Sequence, residues 1–262
     1  MTLEKLKKPP LVEAIFEIKW YAEQQDRAPV NPTTQLILAR LFDQLNSSYP
    51  KYEQLPFASI PEEMGQGIVG HQFRSENGWP LVQLGTGVLT VNDTENYTWQ
   101  DFHKRIIDVV NKLDLVYPSQ EKFQTQSLAL KYLNALDLNL EDLDIYELLR
   151  DKMKFNLSIN NSLFEETLAN PNPLGLDLQF GFRCNKPKGV LKFRISKAKK
   201  LDQGQNRMNE VLLWEIRVES NEADIKLEIP SNLNQWLEEA HSVAHKWFFT
   251  LIEGDLLRSF EQ

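Results

Sequence analysis

The sequence predicts an α+β protein made of two tandem halves, each ordered as strand, helix, antiparallel strands and helix. Three observations predict it. Apolar residues alternate along several short segments, recur at helical spacing along others, and the order of these patterns is met twice in the 262 residues. The halves are predicted at 1–120 and 121–262, with a boundary near 117–122. Their sheets either stay separate or join into one continuous curved sheet.

The first half opens with a strand from Leu11 to Trp20, where apolar and polar residues alternate after Pro9 and Pro10. The same reasoning predicts a helix capped by Thr33 or Thr34, strands at 68–74 and 79–92 around the turn Asn77–Gly78, a bulge or bend at Gly85 and Gly87, and a helix capped by Thr98. A sheet of these strands needs a helix to cover its apolar side.

The second half repeats that order from 128–136, where leucines alternate along a strand. The further elements predicted are a helix at 140–152, strands at 174–183, 188–196 and 211–219, and a long amphipathic helix capped by Ser231 or Asn232. Each half is therefore expected to form a curved sheet that grips its last helix, in the helix-grip or TBP-like manner.

Composition predicts a cytoplasmic protein. The single cysteine, Cys184, excludes an internal disulfide and fits a reducing compartment. Basic residues near Met1 precede no apolar run of signal-peptide length, and no stretch reaches the roughly 20 apolar residues of a membrane span. The formal net charge of −8 disfavours nucleic acid and anionic membranes as partners of the whole surface.

Four motifs carry a resemblance to a known family. They are PPLVEAIFEI at 9–18, LVQLG at 81–85 with Asn92, LALKYLN at 128–134, and LEEAH at 237–241 with Phe248. With them the chain resembles a sporadically distributed, uncharacterised prokaryotic family of proteins of about this length. The resemblance implies no activity. Its patchy distribution is typical of genes for defence systems and toxin neutralisation.

A basic strip is the most informative polar feature of the sequence. Seven basic residues and no acidic one lie between Lys186 and Lys200. The residues proposed to bind nucleic acid or another anion are Lys188, Lys192, Arg194, Lys197, Lys199 and Lys200. The nearby Phe182 and Phe193 are expected on the core side of the sheet, so no platform for base stacking is predicted.

Metal binding and catalysis are weakly indicated, and no cofactor is predicted. His241 and His245 have the helical spacing of zinc ligands, but Ser242 stands where a zinc protease has its glutamate, so half-buried structural histidines are the better interpretation. Cys184 lies beside Arg183, which favours a reactive thiolate, yet most lone cysteines are structural. The acidic residues interpreted as a solvated helix face are Glu141, Asp142, Asp144, Glu147 and Asp151.

Three functions compete, with an enzyme left open but disfavoured. The first is a non-catalytic protein-binding module, an accessory or neutralising component beside a toxin or phage-defence effector, which binds a protein partner or a second copy. Phe249 lies opposite the apolar stripe of the last helix and is predicted to be exposed at that interface. The second function is nucleic-acid binding by the basic strip. The third is binding of a small apolar ligand in a cavity lined by Phe16, Trp20, Trp214 and Trp236.

Overall fold

The computed structural model describes residues 6–21, 32–59, 66–94, 96–117, 124–138, 145–202, 207–224, 226 and 228–262. The strands within these residues are β1 Leu11–Trp20, β2 Lys51–Gln54, β3 Val69–Arg74, β4 Leu81–Gly85, β5 Val88–Asp93, β6 Thr125–Asp137, β7 Asp177–Asn185, β8 Lys188–Asp202 and β9 Arg207–Asn221. The helices are α1 Pro32–Leu45, α2 Trp99–Val116, α3 Ile145–Lys152, α4 Ser162–Thr167, α5 Leu233–Leu251 and α6 Asp255–Glu261.

The strands form one antiparallel sheet in the order β2-β3-β4-β5-β1-β6-β9-β8-β7. Strand β1 pairs with β5 on one side and with β6 on the other, so that Phe16 lies between Val91 and Leu130. The sheet is therefore continuous across the two predicted halves, 1–120 and 121–262. Of the two arrangements that the sequence allows, the continuous sheet is the one observed.

One face of the sheet carries the core. Phe16, Leu130 and Trp214 are at most 1 % exposed and share a continuous apolar cluster with the buried sides of α2 and α5. The Phe16 and Trp236 rings meet edge to face, with centroids 6.4 Å apart. Burial of each such side chain stabilises the fold by about 1.5–3 kcal/mol. The apolar alternation read from the sequence thus selects the helix-covered face.

The opposite face carries a network of charged side chains. Arg217 on β9 reaches Glu17 on β1 at 3.1 Å and Glu219 on its own strand at 2.8 Å. Lys131 on β6 lies 3.8 Å from Glu215. The Lys131–Glu215 pair joins the adjacent strands β6 and β9, and the Arg217–Glu17 pair spans β6 to join β9 to β1.

Several sequence predictions require correction. The bend expected at Gly85 and Gly87 is a tight turn at 86–87, and it divides the predicted 79–92 strand into β4 and β5. Strand β2 and the short helices α4 and α6 were not predicted. Of the helix predicted at 140–152, the described part is α3, and the residues before Ile145 lie outside the described ranges.

The predicted helix caps have mixed outcomes. Thr98 caps α2 as predicted, because its hydroxyl accepts a hydrogen bond from the Asp101 backbone N–H at 3.3 Å. The prediction for α1 is wrong, since that helix already begins at Pro32. At α5 the prediction is also wrong: Asn232 occupies the cap position but makes no side-chain cap, and its amide donates to the Lys226 carbonyl instead.

Among the described residues, none of the helices is both long and apolar enough to cross a lipid bilayer.

Candidate interaction surface

Strand β7 forms an open edge of the sheet. Within the described residues it pairs with β8 alone. The Lys197 N–H donates to the Leu176 carbonyl at 2.9 Å, and hydrogen-bonded pairs alternate along an antiparallel ladder. Even-numbered residues of β7 therefore direct their backbone groups to β8. The odd-numbered residues direct theirs outward: Asp177, Gln179, Gly181, Arg183 and Asn185.

Two aromatic side chains stand exposed on this edge strand. Phe180 and Phe182 are 36 % and 44 % exposed, and their stacked rings have centroids 6.3 Å apart. They lie on the helix-covered side of the sheet, because Phe180 is the register partner of the buried Phe193. We call these two residues the edge patch.

The edge patch rests on a fixed support. The Phe180 ring packs against Phe155 at 5.5 Å, and the Phe182 ring packs against Trp247 of α5 at 5.3 Å. Trp247 in turn contacts the buried Phe193 at 5.8 Å. Since both rings are held by residues that belong to the core or pack on it, the patch presents a preorganised surface.

A second set of exposed apolar residues lies in the segment that leads into β7. We call residues 156–175 the connector. It begins after Phe155, which touches the edge patch, and it contains α4, a helix without a buried residue. Its exposed apolar side chains are Ile159, Leu163, Leu168 and Leu174. Leu168, 93 % exposed, ends α4 in the left-handed conformation at φ 56°.

Two charges at the centre of the basic strip, Lys192 and Arg194, lie on the other face of the same strand pair and are already paired. Lys192 binds Glu219 at 3.0 Å, and Arg194 forms two hydrogen bonds with Asp177 at 2.7 and 2.8 Å. Lys197 lies 3.4 Å from Glu210. The acidic partners come from β7 and β9, outside the strip in sequence, so the sequence shows a basic segment whose central charges are paired in the folded chain.

The pKa values of the acidic partners reflect this pairing. The hydrogen bond from Arg194 holds the pKa of Asp177 below its usual range. Partial burial acts to raise the pKa of Glu219, but Lys192 and Arg217 together lower it. Both carboxylates are therefore ionised at neutral pH and neutralise the strip locally.

Other lysines of the strip remain exposed without such partners. Within the described part of the chain, Lys188, Lys199 and Lys200 form no ion pair. Arg194 and Lys197 line a cleft of about 290 Å³ together with Asp177, Glu215, Ser196 and apolar neighbours. Acids and bases are equally represented among these charged side chains, so the cleft offers little excess charge to a phosphate. Anion binding by the strip stays a prediction.

The two histidines of α5 belong to a half-buried cluster between α2 and α5. His241 Nδ1 lies 2.9 Å from the Tyr132 hydroxyl, which is 3.0 Å from the Tyr97 hydroxyl. The His241 ring stacks on Trp99 at 3.9 Å. Burial, aided by the charges of His245 and His103, lowers the pKa of His241 to about 3. His241 is thus a neutral imidazole at neutral pH and joins two helices to the sheet.

Metal binding finds no further ligand here. The His241 and His245 rings lie 5.4 Å apart, but Tyr132 already occupies Nδ1 of His241. Among the described residues no three His, Cys, Asp or Glu side chains are placed to hold a metal ion. Their position at the margin of the apolar stripe agrees with the structural interpretation of these histidines.

The other candidate residues have ordinary surroundings. Phe249 is half-buried rather than exposed as predicted, because its ring packs against His245 at 4.6 Å and Phe248 at 5.1 Å. Its role at a partner interface stays a prediction. Burial raises the pKa of the half-buried Cys184 thiol. That shift favours the protonated thiol over the nucleophilic thiolate.

The predicted acidic helix face is only partly described. Glu147 and Asp151 are exposed and pair with Arg150 at 3.7 and 2.8 Å. Glu141, Asp142 and Asp144 lie outside the described residues. The described acids are surface ion pairs, which contribute little to stability.

Sequence reasoning missed the edge patch. It placed Phe182 on the core side of the sheet, which is the correct face, but a side chain on that face is buried only where a helix covers it. The sequence held one usable indication. Leu178, Phe180 and Phe182 alternate along a strand that is followed by two more, β8 and β9, in the described part of the chain. A strand in that position is free to end the sheet.

Comparison with known proteins adds little to this description. No protein-family model and no curated protein sequence matches the chain. Among solved structures it is similar to one described as "Methanococcus jannaschii TBP", with 12% sequence identity, a TM-score of 0.25, and coverage of 94% of this chain and 99% of that chain. A likeness at this TM-score carries no argument about fold or function.

Proposed function

We propose that this chain is a non-catalytic protein-binding module that binds its partner through β7 and the edge patch. The observation that carries the proposal is the coincidence of two features: an open strand edge, and two stacked phenylalanines that are more than a third exposed and fixed by the core beneath them. Aromatic side chains are enriched at the centres of protein interfaces.

The backbone of β7 supplies the second half of such an interface. An edge strand with free N–H and C=O groups accepts a further strand, and alternate side chains then give specificity. Leu174 of the connector, which is fully exposed, adds apolar surface three residues before β7 begins. An accessory role beside a toxin or defence effector rests on the resemblance to the prokaryotic family and stays a prediction.

We also propose that the fold consists of two tandem helix-grip or TBP-like halves, divided near 120. Strands β1 and β6 lie side by side in the sheet. Each is followed along the chain by a helix, by further antiparallel strands and by a long helix, α2 or α5. Independent expression of 1–120 and 121–262, with each piece folding by itself, would support the division into two halves.

The binding function is tested by a double substitution in the edge patch. Phe180→Ser with Phe182→Ser is expected to abolish recovery of a stoichiometric partner, in purifications of the tagged full chain from its native cells. The matched control is Phe57→Ser with Leu115→Ser, because these side chains are 58% and 73% exposed and lie outside β7 and the connector. Thermal unfolding of each variant checks that the fold is retained. Equal partner recovery by both double variants would contradict the proposal.

Nucleic-acid binding is the alternative, favoured by the exposed Lys188, Lys199 and Lys200. It is weaker because Lys192, Arg194 and Lys197 already have acidic partners. DNA or RNA affinity that falls steeply with salt, and that is lost on neutralising these lysines, would support it.

Binding of a small apolar ligand has less support. Phe16, Trp20, Trp214 and Trp236 are at most 3% exposed and pack within the core, where they fill the space that a ligand would need. A ligand that raises the unfolding midpoint of the purified chain, and whose binding is lost on enlarging Ala240, would support this alternative.

A further inference from the structure

We propose that the partner bound at β7 is a second copy of this chain, which adds its own β7 antiparallel to the first around a two-fold axis at Gly181. The inference deepens the proposed function and rests on it. The second copy would complete the open edge, so that two sheets join into one through identical strands.

The outward backbone groups fit this arrangement. Asp177, Gln179, Gly181, Arg183 and Asn185 direct their N–H and C=O groups away from β8, as follows from the Lys197–Leu176 hydrogen bond. With Gly181 opposite Gly181 of the second copy, Gln179 faces Arg183 and Asp177 faces Asn185. Every outward group of the strand then meets an outward group of the other copy, and the helix-covered faces of both sheets lie on the same side.

The side chains on the helix-covered face are self-complementary in this register. Phe180 of each copy lies opposite Phe182 of the other, and Leu178 lies opposite Cys184. All of these residues are apolar, and directly opposed aromatic pairs stabilise antiparallel strands. The contact covers the two phenylalanines that the isolated chain leaves exposed.

Charge on the other face is also complementary. The whole chain carries −8, so two copies repel each other at long range and their contact must be balanced locally. Strand β7 has one acid, Asp177, and one base, Arg183. Antiparallel pairing brings Arg183 of one copy diagonally next to Asp177 of the other, within reach of a long side chain.

The opposite edge of the sheet, β2, has features that protect a natural edge strand from pairing, and β7 differs from it. Strand β2 has only four residues, and Lys51 and Glu53 provide the charges that protect natural sheet edges. Strand β7 has nine residues, no proline, and apolar side chains at every second position. A strand of this kind invites pairing unless it is covered, and an identical strand covers it completely.

The mass in solution is the first test. Light scattering of the purified full chain over a concentration series is expected to approach twice the 30.5 kDa of one chain. Phe180→Ser with Phe182→Ser is expected to raise the dimer dissociation constant by at least about tenfold, because the apolar contact is lost. The control Phe57→Ser with Leu115→Ser is expected to leave it unchanged.

Disulfide trapping tests the register without altering the phenylalanines. In a Cys184→Ser background, Gly181→Cys places two thiols across the axis, where opposed Cα atoms are about 5.5 Å apart and within disulfide range. A Cβ at Gly181 meets no described atom closer than Val190 Cγ1 at 3.6 Å, so the substitution fits. Gln179→Cys is the matched control. It lies on the same strand and the same face, but in this register position 179 faces Arg183 of the second copy, so the two introduced thiols are far apart.

Rapid dimeric disulfide formation by Gly181→Cys and slow formation by Gln179→Cys would support the inference. A chain that stays monomeric at every concentration would overturn it. So would equal trapping at both positions, or a dimer that survives the edge-patch substitutions. If the chain is monomeric yet loses a different stoichiometric partner through Phe180→Ser with Phe182→Ser, then the proposed function stands and only the identity of the partner is wrong.

Discussion

Tyr132 joins the two parts of the chain through its hydroxyl group. It lies on β6, and its hydroxyl contacts Tyr97, which precedes α2, as well as His241 on α5. Burial raises the pKa of both tyrosines well above 10, so both hydroxyls stay protonated. The sequence motifs LALKYLN and LEEAH contribute Tyr132 and His241 to this chain of hydrogen bonds. The polar groups of these residues are explained by the hydrogen bonds that they make to one another between the helices.

The pH dependence of stability tests the burial of His241. Its pKa falls from 6.5 to about 3 on folding, in surroundings that include His103, His245, Glu238 and Tyr132. Between these pH values the unfolded chain binds a proton that the folded chain does not, so the free energy of unfolding decreases as the pH falls. We expect His241→Phe to reduce this dependence by up to about 1.4 kcal/mol per pH unit between pH 6 and 5.

Urea unfolding at pH 7, 6 and 5 measures this effect. Tyr132→Phe is the control, because it removes the same hydrogen bond and leaves the titrating imidazole in place. An equal pH dependence in the wild type and in His241→Phe would contradict the burial of a neutral histidine.

At the scale of elements, periodicity predicted most strands and helices, but it did not predict their ends. The alternation along β1, β6 and β9 was correct because a core covers one face of each strand. The ends depend on local hydrogen bonds that periodicity does not encode. At α5 the Leu233 N–H donates to the Pro230 carbonyl at 3.1 Å, so a backbone turn takes the place of the predicted side-chain cap.

The two helix starts give a matched pair of substitutions. We expect Thr98→Ala to lower the free energy of unfolding by about 1 kcal/mol, because it removes the hydrogen bond to the Asp101 N–H. Ser231→Ala is expected to change it by less than about 0.5 kcal/mol, since Ser231 is exposed and lies before a helix without a side-chain cap. Chemical unfolding of both variants measures the difference. A larger loss for Ser231→Ala would contradict the described start of α5.

Gly85 ends β4 where no side chain fits. A Cβ at this position would lie 1.9 Å from the Ile68 carbonyl oxygen. We expect Gly85→Ala to lower the free energy of unfolding by about 2 kcal/mol or more, because the backbone at Ile68, which leads into β3, must move. Gly175→Ala is the control, as no described atom lies within 4 Å of its Cβ position. Thermal and urea unfolding of both variants measure the effect. A neutral Gly85→Ala would contradict the described packing of β3 on β4.

At the scale of the whole molecule, the sheet positions the interaction surface. Its centre is closed by β1 and β6, its charged face is balanced by ion pairs, and its long open end is β7. Sequence reasoning anticipated a continuous sheet as one of two arrangements, but the strand at its end depends on pairing between distant segments. For the same reason it identified the basic strip and not the edge patch: Asp177, Glu210 and Glu219 pair with three of the basic residues only after folding.

The partner at the edge of the sheet is the central claim, and photocrosslinking in native cells tests it most directly. A photoreactive p-benzoylphenylalanine replaces Phe180 in one full-length variant and Phe57 in another, which keeps an aromatic ring at each exposed position. Irradiation is expected to attach a single protein to position 180, with a second copy of the chain as the predicted adduct, and to leave position 57 unmodified. No adduct at position 180, or the same adducts at both positions, would contradict the claim.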